Sequence, residues 1–202
     1  MKLASFLAAG QPSYGAVVAD GVIDMRQRLG APYPTLRSAL AADLMSAMAA
    51  IAANTKPDHK LADIKLLPPI PEPAKIICIG VNYKAHAEEV GRPLPKHPSL
   101  FIRLTNTLVP HGGEMVLPKL SGNFDFEGEL ALVIGKGGRH IPAADALSHV
   151  AGYACFNDGS LRDYQNSHSL AVGKNFFATG GFGPWMTTAD EIPDPSRLTL
   201  TT

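Results

Sequence analysis

Residues 124–135 constrain the fold of this chain more than any other stretch. Leu130, Ala131, Leu132, Val133 and Ile134 run together between Glu129 and Gly135. A continuous aliphatic run of that length, closed by glycine, predicts a strand buried within a sheet. Side chains alternate across a strand, so Glu127 and Glu129 at its mouth share one face. Two like charges side by side repel, and burying them is costly unless something neutralises them. A divalent cation can do so, because hard cations prefer carboxylate oxygens. A solvated strand edge carrying two acids would read the same in isolation, so the pair has to be weighed with the rest of the chain.

The chain has 202 residues, room for one large domain or a small one beside a medium one. Its hydrophobic content of 46% and charged content of 18% are those of an ordinary globular protein. The formal net charge is +0 and no basic block appears, so no electrostatic footprint for nucleic acid exists. The apolar runs are too short to span a bilayer. Residues 1–9 faintly resemble a leader segment but read better as a first strand. Cys78 and Cys155 lie in apolar segments, as expected of small core residues in a cytoplasmic protein. Their spacing does not match a metal-binding cysteine motif.

In chain order, 2–7, 14–19 and 21–25 are strand candidates in a meander, separated by the turn signals of 10–13 and 20–21. Thr35 is a candidate N-cap. Leu36, Leu40, Leu44, Ala47, Met48 and Ile51 then fall on one face of a single helix that should end near Asn54. A strand over 64–67 leads into 68–73, where four prolines in six residues predict a semi-rigid linker. The boundary expected there gives a small N-terminal α/β domain over 1–70 and a main domain over 71–202. In the latter, 75–80, 98–103, 130–134 and 150–156 read as strands, 84–90 and 143–149 as helices, and 104–123 as loop.

Chemistry collects in the second part. His86 and Glu89 are three residues apart on a short helix, where a carboxylate beside an imidazole raises its basicity. A solvated surface pair would have the same spacing. Asp158, Arg162 and Gln165, at i, i+4 and i+7, follow a strand and would bring an acid, a bidentate cation and an amide together. A helix cap with a solvated arginine is the plainer alternative.

Taken jointly, Gly80-x-Asn82-Tyr83-x-x-His86-x-x-Glu89, Phe126-Glu127-Gly128-Glu129-Leu130, Asn157-Asp158-x-Ser160-x-Arg162-Asp163-x-Gln165 and Gly173-Lys174-x-Phe176 resemble the fumarylacetoacetate hydrolase family in order and spacing over about 75–186. The resemblance implies an α+β fold, mainly a mixed-sheet β roll, and a homodimer. It implies Glu127, Glu129 and Asp158 as ligands of one Mg²⁺, with Mn²⁺ or Ca²⁺ as substitutes. His86, Glu89 and Lys174 would be catalytic, and Tyr83, Arg162 and Gln165 would bind substrate. Residues 84–97 would correspond to a mobile lid.

The implied activity is Mg²⁺-dependent hydrolysis of a C–C bond in an acylpyruvate or β-diketo acid, through an enolate held by the metal. The same resemblance admits a 2-oxo dicarboxylate decarboxylase or isomerase. A catalytically silent metal- or ligand-binding protein is the reading from another class. Two departures stand out. Arg103 occupies the position of the family's usual lysine. The pattern 198–202 also breaks off where the resemblance implies further strands and a Gly-Thr-rich turn, so a C-terminally shortened chain is expected.

Overall fold

A computed structural model describes residues 1–80, 82–89, 91, 93 and 95–202; the side chain of His86 lies outside the description. The meander forms as the turn chemistry requires. Strands β1 (Lys2–Ala8), β2 (Gln11–Val18) and β3 (Gly21–Asp24) pair antiparallel in succession. The β1–β2 turn holds Ala9 and Gly10 at φ 48° and 78°, the positive pair that a tight twisted hairpin needs.

Helix α1 (Met25–Leu29) is capped by the Asp24 side chain. The single helix expected over 36–51 is two helices, α2 (Leu36–Ala41) and α3 (Met45–Ala53). Thr35 caps α2 through a reciprocal box with Ser38. The break has a local cause. Asp43 takes a left-handed φ of 57°, the Asp43 amide donates to Leu40 and the Leu44 amide to Ala39. This pairing closes a helix end and satisfies its last carbonyls. Leu36, Leu40 and Met48 are nonetheless buried in one core with Leu3, Tyr14, Ile23 and Met186.

After β4 (His59–Lys60) and β5 (Ile64–Leu66) comes the proline run, whose Ile70 is buried in that core. Next come β6 (Ile76–Gly80), α4 (Lys84–Glu89), β7 (Ser99–Arg103), β8 (Leu108–Pro110), β9 (Phe124–Asp125), β10 (Gly128–Ile134) and β11 (Val150–Asp158). The segment 143–149 winds as 3₁₀ turns, not as the expected α-helix. The chain then runs through β12 (Ser160–Leu161), α5 (Arg162–Ser167), α6 (Leu170–Gly173), β13 (Gly180–Phe182) and β14 (Met186–Thr188). Val90, Arg92 and Leu94, within the expected helix and lid, lie outside the described residues.

Among the described residues, ten strands make one curled mixed sheet in the order β4-β3-β2-β1-β14-β11-β13-β8, with β10 on β11 and β5 on β1. Only the β13–β8 pair of this sheet is parallel. Strand β8 lies inside the expected loop. Strands β13 and β14 are three residues each, too short for periodicity to reveal. Residues 198–202 carry a strand-like pattern but lie outside any strand. The fold is α+β, as expected. Cys78 is half-buried, but Cys155 is exposed, contrary to its reading as core: it stands on the outer face of β11.

Candidate active site

The end of β11 is the pivot. Ladder pairing sets Gly128 opposite Asn157 and Glu129 opposite Phe156. One step further, the Asp158 amide donates to the Glu127 carbonyl at 2.8 Å. Backbone geometry alone therefore brings Asp158, distant in sequence, to the adjacent Glu127 and Glu129. Glu127 precedes β10 and is not part of the strand, so the alternation argument applied only to Glu129.

Lys174 enters from the far side. Helices α5 and α6 pack closely because residue 173 is glycine: a Cβ there would stand 2.6 Å from that of Gln165. Lys174 follows as the C-cap residue of α6, only 2% exposed. Its ammonium donates at 2.7 Å to Glu127 Oε2, Asp158 Oδ2 and Ser160 Oγ, and stands 5.4 Å from the centre of the Phe101 ring. The β9–β12 pair sets Ser160 opposite Asp125 and so brings Arg162 to the cluster. Arg162 Nη1 meets Glu127 Oε1 at 2.5 Å and donates to Gln165 Oε1 at 3.0 Å; Nε donates to Asp125 Oδ2 at 2.9 Å. Arg103, on β7, ion-pairs with Asp158 Oδ1. The Tyr83 hydroxyl accepts the Leu130 amide at 3.3 Å and is hydrogen-bonded to Glu129.

Three cations thus face four carboxylates, leaving one negative charge in excess. Burial pushes the Glu127 carboxyl up, but Lys174 and Arg162 more than offset this and hold it below the usual range. Glu129 lies above its usual range: burial raises it most, the Tyr83 hydrogen bond opposes this, and the charges of Glu127 and Asp158 add to the rise. Burial lowers Arg162, yet Asp125 and Glu127 raise it further and keep it charged. Burial, then the neighbouring Asp158, pushes the Cys78 thiol up to about 12.

Among the described residues, no three His, Cys, Asp or Glu side chains gather their ligating atoms around one point as they stand. Instead, Lys174 lies between Glu127 and Asp158. The donor set still suits a hard cation: three carboxylates, mutually repelling, with one charge unmatched. Each ionised carboxylate has about four lone-pair sites, so oxygens on Lys174 and Arg103 keep capacity for an ion. Glu127, Glu129 and Asp158 are the residues that could hold it.

The remaining expected residues divide. Tyr83, Arg162, Gln165 and Lys174 all reach the cluster. His86 and Glu89 lie on α4; the His86 side chain is outside the described residues, and Glu89 is exposed. Sequence reasoning missed Asp125, Ser160 and the role of Arg103. The signal for Arg103 was present: it shares a strand face with Phe101, and a charge on an inward face demands a partner.

A curled mixed sheet gathers carboxylates, a buried lysine and two arginines at one strand end, an acid- and cation-lined cluster. The chain belongs to the fumarylacetoacetate hydrolase family: residues 75–202 match its profile, described as fumarylacetoacetate (FAA) hydrolase C-terminal. Human oxaloacetate tautomerase FAHD2A, mitochondrial, is 39% identical over 142 residues, 69% of this chain and 45% of its own length. Oxaloacetate tautomerase YisK of Bacillus subtilis is 40% identical over 149 residues, 71% of this chain and 50% of its own. The crystal structure of maleylpyruvate hydrolase from Sphingobium sp. SYK-6, in complex with manganese(II) ion and pyruvate, superposes with a TM-score of 0.77 at 29% identity, covering 96% of this chain and 70% of that one. The chain spans about half the length of these two curated relatives.

Proposed function

We propose that this protein is a divalent-metal-dependent enzyme acting on a small 2-oxo or β-diketo acid, with hydrolytic C–C cleavage of an acylpyruvate as its leading reaction. The observation that carries the reading is the cluster itself, with its one unmatched carboxylate. A divalent cation bound there would turn the excess of one negative charge into one positive charge, which a substrate carboxylate would balance. Mg²⁺ is the ion proposed, with Mn²⁺ or Ca²⁺ as substitutes; the manganese complex of the Sphingobium relative supports the class of ion. When bound, the ion would supply Lewis acidity and a fixed point for the substrate's oxygens.

The chain's own residues would do the rest. Glu127, Glu129 and Asp158 hold the ion. Arg162, fixed by Asp125, Glu127 and Gln165, would offer its one remaining N–H, on Nη2, to a substrate carboxylate. Tyr83 lines the Glu129 side of the site. Lys174 keeps a positive charge where an oxyanion develops. His86, with Glu89, would take a proton from water in the hydrolytic reaction. The division into 1–70 and 71–202, and a homodimeric assembly, are part of the same proposal; the family match beginning at residue 75, just past the proline run, supports the first.

The tautomerase relatives favour a second reading, isomerisation of oxaloacetate or a similar dicarboxylate. It needs the same ion and carboxylate contacts but no attacking water. Assays of acetylpyruvate, fumarylpyruvate and oxaloacetate, with and without EDTA, test both. Turnover untouched by EDTA would overturn the metal-dependent proposal. The His86→Ala variant separates the two reactions: hydrolysis should vanish, whereas isomerisation that survives the substitution would favour the second reading.

A further inference from the structure

Arg103 is 3% exposed and reaches four acceptors at once. Nη1 meets Asp158 Oδ1 and the Gly159 carbonyl (3.2 Å), Nη2 donates to Thr179 Oγ1 at 2.9 Å, and Nε to Thr107 Oγ1 at 3.4 Å. Its guanidinium carbon lies 5.6 Å from the centre of the Phe156 ring. The main sheet is built to admit this group. Gly180 is the ladder partner of Asp158, and a Cβ at 180 would stand 2.9 Å from Nη2 and 3.0 Å from the Phe156 ring.

We propose that Arg103 is the positioning residue for the metal-ligating carboxylate of Asp158, and that the arginine fork, not its charge alone, sets the ion's affinity. The inference rests on the metal-dependent reading above. Asp158 lies between two cations: Arg103 takes Oδ1 and Lys174 takes Oδ2. Held on both oxygens, the carboxylate cannot swing, and the lone pairs left free point in fixed directions. A lysine at 103 would carry the same charge. Its compact ammonium cannot span Asp158, Gly159, Thr179 and Thr107 from one planar frame, so Oδ1 of Asp158 would lose its fixed direction while Lys174 still holds Oδ2. Groups that orient a metal ligand typically contribute about 10–100-fold in metal affinity or activity.

The test compares wild-type, Arg103→Lys and Gly180→Ala proteins by Mn²⁺ titration, followed by electron paramagnetic resonance and calorimetry, with thermal unfolding in EDTA as a check of folding. Arg103→Lys is expected to bind Mn²⁺ about tenfold or more weakly with an altered resonance line shape. Gly180→Ala, which crowds the same guanidinium without changing any charge, is expected to lose affinity as well. A purely structural tie would lower the unfolding temperature and leave Mn²⁺ affinity unchanged. Folded variants that bind Mn²⁺ as wild-type does therefore overturn the role of Arg103 and leave the metal reading standing. Wild-type protein that binds no Mn²⁺ overturns both. Should Arg103→Lys fail to fold, Gly180→Ala decides by the same criterion.

Discussion

Lys174 has the most to lose from a single substitution. It is a buried cation shared by two carboxylates, and removing one partner of such a set leaves uncompensated charge. Lys174→Met should cost about 3–5 kcal/mol of stability in EDTA. Mn²⁺ should restore part of that loss by supplying the missing positive charge, while turnover stays lost. Unfolding temperatures with and without the ion would check both halves. The two cysteines differ through environment alone. Iodoacetamide at neutral pH should modify exposed Cys155 and spare Cys78, whose thiol, pushed up to about 12, stays protonated; mass spectrometry reads the sites. Tyr14 gives a pH dependence on the alkaline side. Burial, then Asp24, raises it to about 12 from an ordinary 10. The folded state therefore keeps the proton that the unfolded state releases first. Its contribution is fully present below about pH 10 and is lost as pH rises through about 12. Ultraviolet titration should show Tyr14 and Tyr83, the latter also raised by burial and the charge of Glu129, ionising after the other tyrosines, with the Tyr14 step coinciding with unfolding. The acidic residues of the site were legible in the sequence because carboxylates are conspicuous beside an apolar run. Arg103 was legible only as a charge on an inward strand face, and Ser160 was not: its importance comes from what folding places around it, and a serine in a strand carries no spacing signature.

Capping and close approach decide the elements. Thr35→Ala removes half of a reciprocal box at an exposed helix start and should cost about 1 kcal/mol. Met48→Ala, in a fully buried position on α3, should cost about 2–5 kcal/mol; denaturant titration separates the two. Gly173→Ala acts differently. It forces α6 away from Gln165 and so displaces Lys174. Its expected signature is a fall in kcat well beyond what its loss of stability explains. Among elements, the meander, α4 and the long β10–β11 pair were readable, since their turn residues and apolar runs are local signals. The break at Asp43 was not, because apolar spacing continues across it and only the backbone reveals the left-handed residue. Strands β8, β13 and β14 were missed for a related reason. Three residues, two of them glycine in β13, carry no periodicity, and their neighbours in the sheet alone make them strands.

At the level of the entire chain, the sheet joins early and late sequence directly, since β1 pairs with β14 and β14 with β11. Core substitutions near the first strands should therefore be felt at the site, and ion binding should stabilise the fold as a unit. A ligand at one hundred times its dissociation constant adds about 2.7 kcal/mol, so Mn²⁺ with a 2-oxo acid should raise the unfolding temperature more than either alone. Hairpin β6–β7 turns Phe101 and Arg103 toward the cluster and leaves Ile77, Ile79, Leu100 and Ile102 exposed on its other face. The proposed chemistry requires that Glu127, Glu129 and Asp158 share one cation. Diffraction from crystals soaked with Mn²⁺ and oxalate, collected at the manganese absorption edge, measures this directly. The expected result is a single anomalous peak about 2.0–2.6 Å from an oxygen of each of the three carboxylates. A peak elsewhere, or none among these residues, would contradict it.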